Sequence, residues 1–446
     1  MTDMAESDRT LLHDIPDSLY RKVAWRILPV VGMGYFIAII DRTNIGLAKL
    51  EMSADIGLSA GAYGLGAGIF FIFYCLFEPF SNLIMEKVGA RVWITRILAT
   101  WGVVTVATGF VQNTGQFYVA RILLGIAEAG FYPGMVFYLA LWFPRLRLTR
   151  ALSLMVIASP LASMSAGPVS GWMIETFHQA GSLQGWQWMF IIQGIPAVLL
   201  AAVFFLTMSN APQDAPWLVS SEKEALRKAV TVSREDRAGQ SLGLRLKDAI
   251  CKPHVWLLGV LLGTNYLGVY AVIFWLPTII ADEGIKDVGT VGWLSAIPWG
   301  CAVVATVIAG RVGDRSQNHS RLAFASMTLA SLGLAASVLL DGGLVMTLVS
   351  LSCAAAFLLA SAPMIWTIAN VRLADAAGAA AGIALINSIA SIGSFLGPYL
   401  LGLGRDLAGS DTVPMVAIAV VGLAGGFLAL RVGHDNKALD SRAVTS

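Results

Sequence analysis

Apolar residues run along this chain in long unbroken stretches, separated by short polar clusters. A membrane-crossing helix needs roughly 20 apolar residues, and that length picks out twelve segments: 27–47, 60–83, 93–110, 116–142, 150–174, 186–208, 255–281, 290–310, 322–340, 344–368, 379–403 and 412–431. Their apolarity is continuous, whereas barrel strands alternate over segments of about ten residues. A helix satisfies its own backbone hydrogen bonds in lipid, so the pattern predicts an all-α membrane protein of twelve transmembrane helices, here spans 1–12. Glycine and proline inside them suit close helix crossings.

Composition agrees, since 57% of the 446 residues are hydrophobic and only 13% charged, about half the charged fraction of a soluble domain. A net charge of +2 gives no reason to expect nucleic acid as a partner, and what matters is where the charges lie. Of 30 Lys and Arg, 25 fall in or at the edge of one alternate set of connections and the two ends, while Lys49, Lys286 and Arg405 fall in the other set. Cytoplasmic loops carry the basic excess, so both termini are expected inside. The first 26 residues are polar, and the run after them is too long and interrupted for a cleaved signal peptide. Cys75, Cys251, Cys301 and Cys353 have neither metal-ligand nor redox-pair spacing and read as packing residues.

The longest connection, 209–254, contains a charged helical stretch from Ser221 to Val230. It divides the chain into a tail 1–26, a six-helix half 27–208, this central cytoplasmic loop, a second six-helix half 255–431 and a tail 432–446. Each half has a short basic turn after its second span: Glu86 to Arg91, and Gly310 to Arg315. Two repeated halves around a midplane site are what an alternating-access carrier requires.

Two basic residues, Arg42 and Arg121, lie inside predicted spans. An ionisable group at membrane depth is a functional candidate by default. With span 1 ending near residue 47 and span 4 beginning near 116, Asp41, Arg42 and Arg121 are expected at one depth, roughly 8 Å below the outer surface. Glu128, seven residues beyond Arg121, falls on the same face about 10 Å deeper. Two arginines against two carboxylates leave an empty site neutral, and an entering anion disturbs that balance. Arg42 and Arg121 are therefore expected to hold a substrate carboxylate, with Asp41 and Glu128 taking protons. The plain alternative is an ion-pair network that only locks spans 1 and 4. Glu78, nearer the inner end of span 2, reads as a gate or a partner of loop arginines. The second half has no ionisable group well inside its spans, so its share of the site should be neutral: Asn265, Tyr266 and Tyr270 in span 7, Trp366 in span 10, Asn387 and Ser391 in span 11, with Tyr74 of span 2 facing them.

The basic turns resemble the major facilitator superfamily signature, best in Gly310, Asp314 and Arg315, while the first copy has Asn82 for the Gly and Glu86 for the usual Asp. More specific are Asp41-Arg42-Thr43-Asn44-Ile45-Gly46, Glu78-Pro79-Phe80-Ser81-Asn82 and the run from Arg121 to Gly134. With Gly185-Trp186-Gln187-Trp188, the stretch from Pro212 to Leu218 and Phe274-Trp275-Leu276-Pro277, they resemble the anion:cation symporter family over nearly the whole chain. Its members move organic carboxylates such as sugar acids, tartrate, phthalate and hydroxyphenylacetate, commonly driven by protons. The resemblance implies a multi-pass protein of the bacterial inner membrane, usually monomeric, with no cofactor. It assigns protons to the acids of spans 1 and 4 and substrate to the span 4 arginine, and it favours Tyr74 and Asn387 as substrate contacts. Gln193 departs from the pattern, since many relatives carry Glu there. Gly167-Pro168-Val169-Ser170-Gly171 resembles an antiporter-associated motif and reads here as a packing kink.

Catalysis has no support: the five histidines lie in tails, loops or helix edges, and neither a nucleotide loop nor a nucleophile elbow is present. An efflux antiporter of the same fold would favour acids over paired arginines. A transport-inactive sensor would need a signalling domain, and the tail after span 12 is short.

Overall fold

The computed structural model describes residues 16–235, 250–316, 318–373 and 379–443. Among them, twelve helices are long and apolar enough to cross a membrane: Asp17–Asp55, Ala60–Val88, Ala90–Thr108, Thr114–Trp142, Arg147–Thr176, Gly185–Thr207, Pro253–Asp282, Val288–Gly313, His319–Leu339, Gly343–Leu373, Ala381–Ala408 and Thr412–Val432. No strand occurs among the described residues.

Span 1 is longer at both ends than its apolar run. It starts at Asp17 and continues past residue 47 to Asp55, because Lys49 and Glu51, polar in sequence, find partners in Thr278 of span 7 and in His178 of the turn after span 5. Lys49 therefore lies inside a helix, only 8% exposed, and not in a loop. The segment Gly310 to Arg315 is likewise no turn but the last stretch of the span 8 helix, which runs to Arg315. The first basic turn does bend, at Gly89 with φ 92°. There the Arg91 backbone N–H donates to Asn210 Oδ1 at 2.9 Å and its Nε to the Phe205 carbonyl at 2.7 Å. Glu86 and Arg315 are exposed, Gly310 faces open space, and the Asp314 side chain lies outside the described residues.

Both ends of the bundle's first six spans carry clear packing devices. On the side where span 1 begins, here the basic side, Trp142 stacks on Trp217 of the central connection (5.6 Å, 11°) and Lys22 pairs with Glu222 at 2.8 Å. On the far side, the first six spans close against the last six. The Asp406 carboxylate of span 11 accepts from Ser59 Oγ (2.8 Å), Ala60 N (3.1 Å) and Gly61 N (2.8 Å), so it caps span 2 from across the seam. Tyr63 Oη donates to the Phe274 carbonyl at 3.0 Å, Lys49 Nζ to Thr278 Oγ1 at 2.9 Å, and Gly289 N to Glu175 Oε1 at 2.7 Å. Glycine lets backbones meet there: a Cβ on Gly64 would stand 2.4 Å from the Pro398 carbonyl oxygen, and one on Gly167 2.4 Å from that of Gly292. The deepest hydrogen bond across the seam among the described residues is Cys75 Sγ to the Ser388 carbonyl at 3.9 Å. The bundle is thus closed on the far side, and beyond Cys75 no described hydrogen bond ties its two sets of six together.

Candidate functional site

Span 4 is two helices. Asn113 caps the first by accepting from Gln116 N, and that helix ends at Glu128. Gly130 then adopts φ 84°, and a second helix runs from Phe131 to Trp142. A left-handed residue costs glycine little, and a Cβ at this position would lie 2.4 Å from Ser81 Oγ. Pro133, which lacks an N–H, falls in the first turn of the new helix, where no bond is lost. The break thus leaves Glu128 at a helix terminus near mid-span.

Arg42 stands 13 residues before the end of span 1 and Glu128 14 residues after the start of span 4, each about 20 Å from the far side. They are level and form an ion pair. The expected grouping of Arg42 with Arg121 at one shallow depth is corrected accordingly, because span 1 continues to Asp55. Glu128 is fully buried, while the Arg42 side chain keeps 17% of its exposure. Its guanidinium lies over the rings of Phe70 (5.5 Å) and Tyr74 (5.1 Å). Arg42 Nε and Glu128 Oε2 are buried with no hydrogen-bond partner.

Arg121, 2% exposed, donates instead to backbone: Nε to the Gly66 carbonyl at 3.2 Å and Nη2 to that of Ala67 at 3.4 Å. Span 4 approaches this closely because Gly66 has no Cβ, which would sit 2.1 Å from the Phe117 ring. Asp41, 3% exposed, accepts from Trp101 Nε1 at 2.8 Å and lies within electrostatic range of Arg121. Arg42 thus pairs with Glu128, while Asp41 is bonded to Trp101 and meets the charge of Arg121 only through space.

Of the neutral candidates, Tyr74 and Tyr270 are brought to the pair; Tyr270 lies within charge range of Arg42 and packs on Phe71 at 4.4 Å. Tyr266 meets Tyr270 edge-on at 5.9 Å, and Trp366 packs half-buried in the same cluster as Tyr266. Asn265 is turned to span 10, where its Nδ2 donates to the Leu358 carbonyl (3.0 Å) and Ser361 Oγ (2.7 Å). Ser391 donates to the Asn387 carbonyl at 2.9 Å; no described contact joins either residue to the ion pair. Glu78, one turn past Tyr74, interacts electrostatically with Arg42. The sequence reading missed Tyr35 and Tyr132, whose rings meet at 5.6 Å, and the buried amide pair Asn44 and Gln193, bonded at 2.8 Å. Polar residues at helical spacing inside apolar runs, Asp41 and Asn44 above all, were the available signal.

Twelve spans closed on one side around a buried, partly unsatisfied ion pair at mid-span define a membrane transporter and not an enzyme. The Major Facilitator Superfamily profile matches residues 31–398, and the chain belongs to that family. It is 39% identical over 394 residues to the putative metabolite transport protein NicT of Pseudomonas putida, covering 88% of this chain and 90% of that one. A putative tartrate transporter of Agrobacterium vitis is 38% identical over 438 residues (98% and 96%), and a quinolone resistance transporter of Acinetobacter baumannii 37% over 416 (92% and 94%). Among solved structures, a bacterial homologue of the human lysosomal transporter Spinster matches with TM-score 0.73 at 17% identity, over 93% of this chain and 98% of that one. The chain is accordingly a multi-pass inner-membrane protein that moves a small molecule.

Proposed function

We propose that this transporter carries a small organic carboxylate together with protons, by alternating access, as a monomer driven by the proton gradient. The observation that carries this reading is the Arg42–Glu128 pair, with one donor nitrogen and one carboxylate oxygen unpartnered in a buried position. A guanidinium presents a planar fork matched to a carboxylate. A substrate carboxylate that takes Arg42 releases Glu128, which then holds a negative charge in a low-dielectric setting and binds a proton. Asp41, buried and bonded to Trp101, supplies a second proton acceptor. Tyr74 and Tyr270 supply the aromatic wall, and the names of the metabolite and tartrate relatives support an organic anion.

The lysine and arginine asymmetry supports a cytoplasmic basic side, which makes the far-side closure an inward-open state. Proteoliposomes with an inward proton gradient and a panel of radiolabelled organic acids test the proposal. Accumulation that collapses with a protonophore and is lost in Arg42→Ala is the expected result. The quinolone resistance relative favours a second reading, proton-driven efflux of a drug. If no acid accumulates and a quinolone moves against the proton gradient, efflux replaces symport.

A further inference from the structure

A line of buried polar side chains crosses the first six spans and ends at the seam with the last six. Trp101 Nε1 of span 3 donates to Asp41 Oδ2 at 2.8 Å, and Asn44 Nδ2, one turn on, faces Asp41 Oδ1 at 3.5 Å. The same Asn44 nitrogen donates to Gln193 Oε1 of span 6 at 2.8 Å, and Gln193 Nε2 donates to Ser170 Oγ of span 5 at 2.9 Å. Asp41, Asn44, Gln193 and Ser170 are 3%, 1%, 6% and 0% exposed, so bulk water does not relieve a mismatch among them. Ser170 stands between Gly167 and Gly171, whose added Cβ atoms would lie 2.4 Å from the Gly292 carbonyl oxygen and 3.0 Å from Gly289 Cα of span 8. The line therefore joins the proton-accepting candidate Asp41 to a close backbone contact between spans 5 and 8.

Its hydrogen bonds have a direction. An ionised carboxylate only accepts, and Asp41 here faces donors from both sides. A proton from solution bound at Oδ1 turns that oxygen into a donor and sets it against the Asn44 N–H. Asn44 can resolve the conflict by turning its amide over, because O and N exchange places with little change in shape. The oxygen it would present, Oδ1, is buried and without a partner. Asn44 also lines a small cavity with Ser163, Gly167 and Ser295, which leaves space for the turn. Gln193 then meets an oxygen where a donor stood and must turn as well, offering Oε1 to Ser170. The serine hydroxyl changes from acceptor to donor at the seam.

We infer that Asn44, Gln193 and Ser170 are positioning residues that transmit the protonation state of Asp41 to the contact between spans 5 and 8. The inference rests on the reading of Asp41 as a proton acceptor. Other groups also face Asp41: Thr105 from span 3, and Arg121 and more weakly Glu128 from span 4. The Thr105 hydroxyl is buried without a partner, which makes it the rival acceptor for the Asp41 proton.

The test needs no transported substrate. Spin labels on Ser182→Cys and Lys286→Cys, exposed far-side positions beside spans 5 and 8, report seam separation in lipid nanodiscs once the four native cysteines are replaced. Distances are read from acid to alkaline pH, while infrared difference spectra against Asp41→Asn follow the Asp41 carboxyl itself. The expected result is a pH-dependent shift in separation that is lost in Asp41→Asn, Gln193→Leu and Ser170→Ala, with Asp41 still titrating in the last two. Should Gln193→Leu fail to fold, Ser170→Ala decides, because it removes only a hydroxyl. A shift that survives in Ser170→Ala overturns the relay and leaves the proton reading of Asp41 intact. The Glu175 carboxyl, bonded to Gly289 N at 2.7 Å and facing Asp287, titrates at the same contact, so every measurement carries Glu175→Gln. A shift that then survives in Asp41→Asn, or a separation that ignores pH in that background, overturns the relay. An Asp41 carboxyl that does not titrate in the infrared spectra removes the proton reading with it.

Discussion

Glu128→Gln removes the acidic partner of Arg42 while keeping side-chain shape, and its effect can be worked from the site. Two charges about 4 Å apart at an effective dielectric near 20 attract by about 4 kcal/mol. Desolvation takes back much of that attraction in a buried pair, which leaves a net preference of Arg42 for Glu128 of about 1.4 kcal/mol, or tenfold in affinity. Under the proposed mechanism a substrate carboxylate must displace Glu128 from Arg42. Removing the competitor should therefore tighten substrate binding about tenfold, although a carboxylate has been taken out of the site. Arg42 should stay folded in place, since it keeps 17% of its exposure and its contacts with Phe70 and Tyr74, which contribute about 1 kcal/mol each. With the proton acceptor gone, exchange of labelled for unlabelled acid should persist while gradient-driven accumulation disappears. Equilibrium binding in nanodiscs and paired exchange and uptake in liposomes measure these effects. Weakened or unchanged binding, or accumulation that survives, would refute the competition argument.

Three further outcomes follow from the far side. Gly64→Ala drives a methyl against the Pro398 backbone, which cannot move aside as a side chain can; overpacking of this kind costs roughly 1–3 kcal/mol. Spin-label distances across spans 2 and 11 should lengthen and transport should fall, and an unchanged distance would show the seam to be more compliant than its packing implies. Asp406→Ala removes the cap of span 2 supplied from span 11. Caps contribute about 1 kcal/mol, so the closed-to-open ratio should drop about fivefold, as read by the same spin-label distances across spans 2 and 11. Burial holds the Asp411 carboxyl above its ordinary value despite the Arg405 guanidinium beside it. The folded protein thus binds this proton more readily than the unfolded chain, and stability declines as pH rises from the ordinary Asp range through the raised value. Melting curves of Asp411→Asn should lack that decline.

The sequence made the fold legible because continuous apolar runs of span length have few other uses, and the charged connections marked their ends. It misplaced depth for a physical reason. Lys49 and Glu51 look like the end of span 1, yet Lys49 is carried into the helix by Thr278 and by the Trp275 ring, 3.9 Å from its nitrogen. Nothing in the local sequence around residue 49 reports residues 275 and 278. That error moved Arg42 outward and hid its pairing with Glu128. Arg42 was still legible as a candidate, because an arginine inside an apolar run stands out wherever the run ends. For Asn265 the sequence does not report direction: a lone amide in an apolar helix is equally suited to a substrate or to a neighbouring helix, and here its Nδ2 makes two bonds to span 10 while its Oδ1 is buried without a partner.

The Arg42–Glu128 pair also bears on how many protons accompany a substrate. Arg121 is held by the Gly66 and Ala67 carbonyls and lies 2% exposed, whereas Arg42 has a free Nε and is the more accessible guanidinium. A single carboxylate that engages Arg42 frees one acid, Glu128, and leaves Asp41 with Trp101 and Arg121. The site regains neutrality when that one acid binds one proton, and a buried site with an uncompensated charge is strongly disfavoured. Uptake of a monocarboxylate should therefore be electroneutral, following a pH gradient and ignoring an imposed membrane potential. A dicarboxylate that reached both arginines would bring two charges and require two protons, on Glu128 and Asp41, again without net charge. Potassium-loaded liposomes with valinomycin separate the cases: accumulation driven by an inside-negative potential without a pH gradient would mean that Asp41 titrates in every cycle, independently of which arginine the substrate holds.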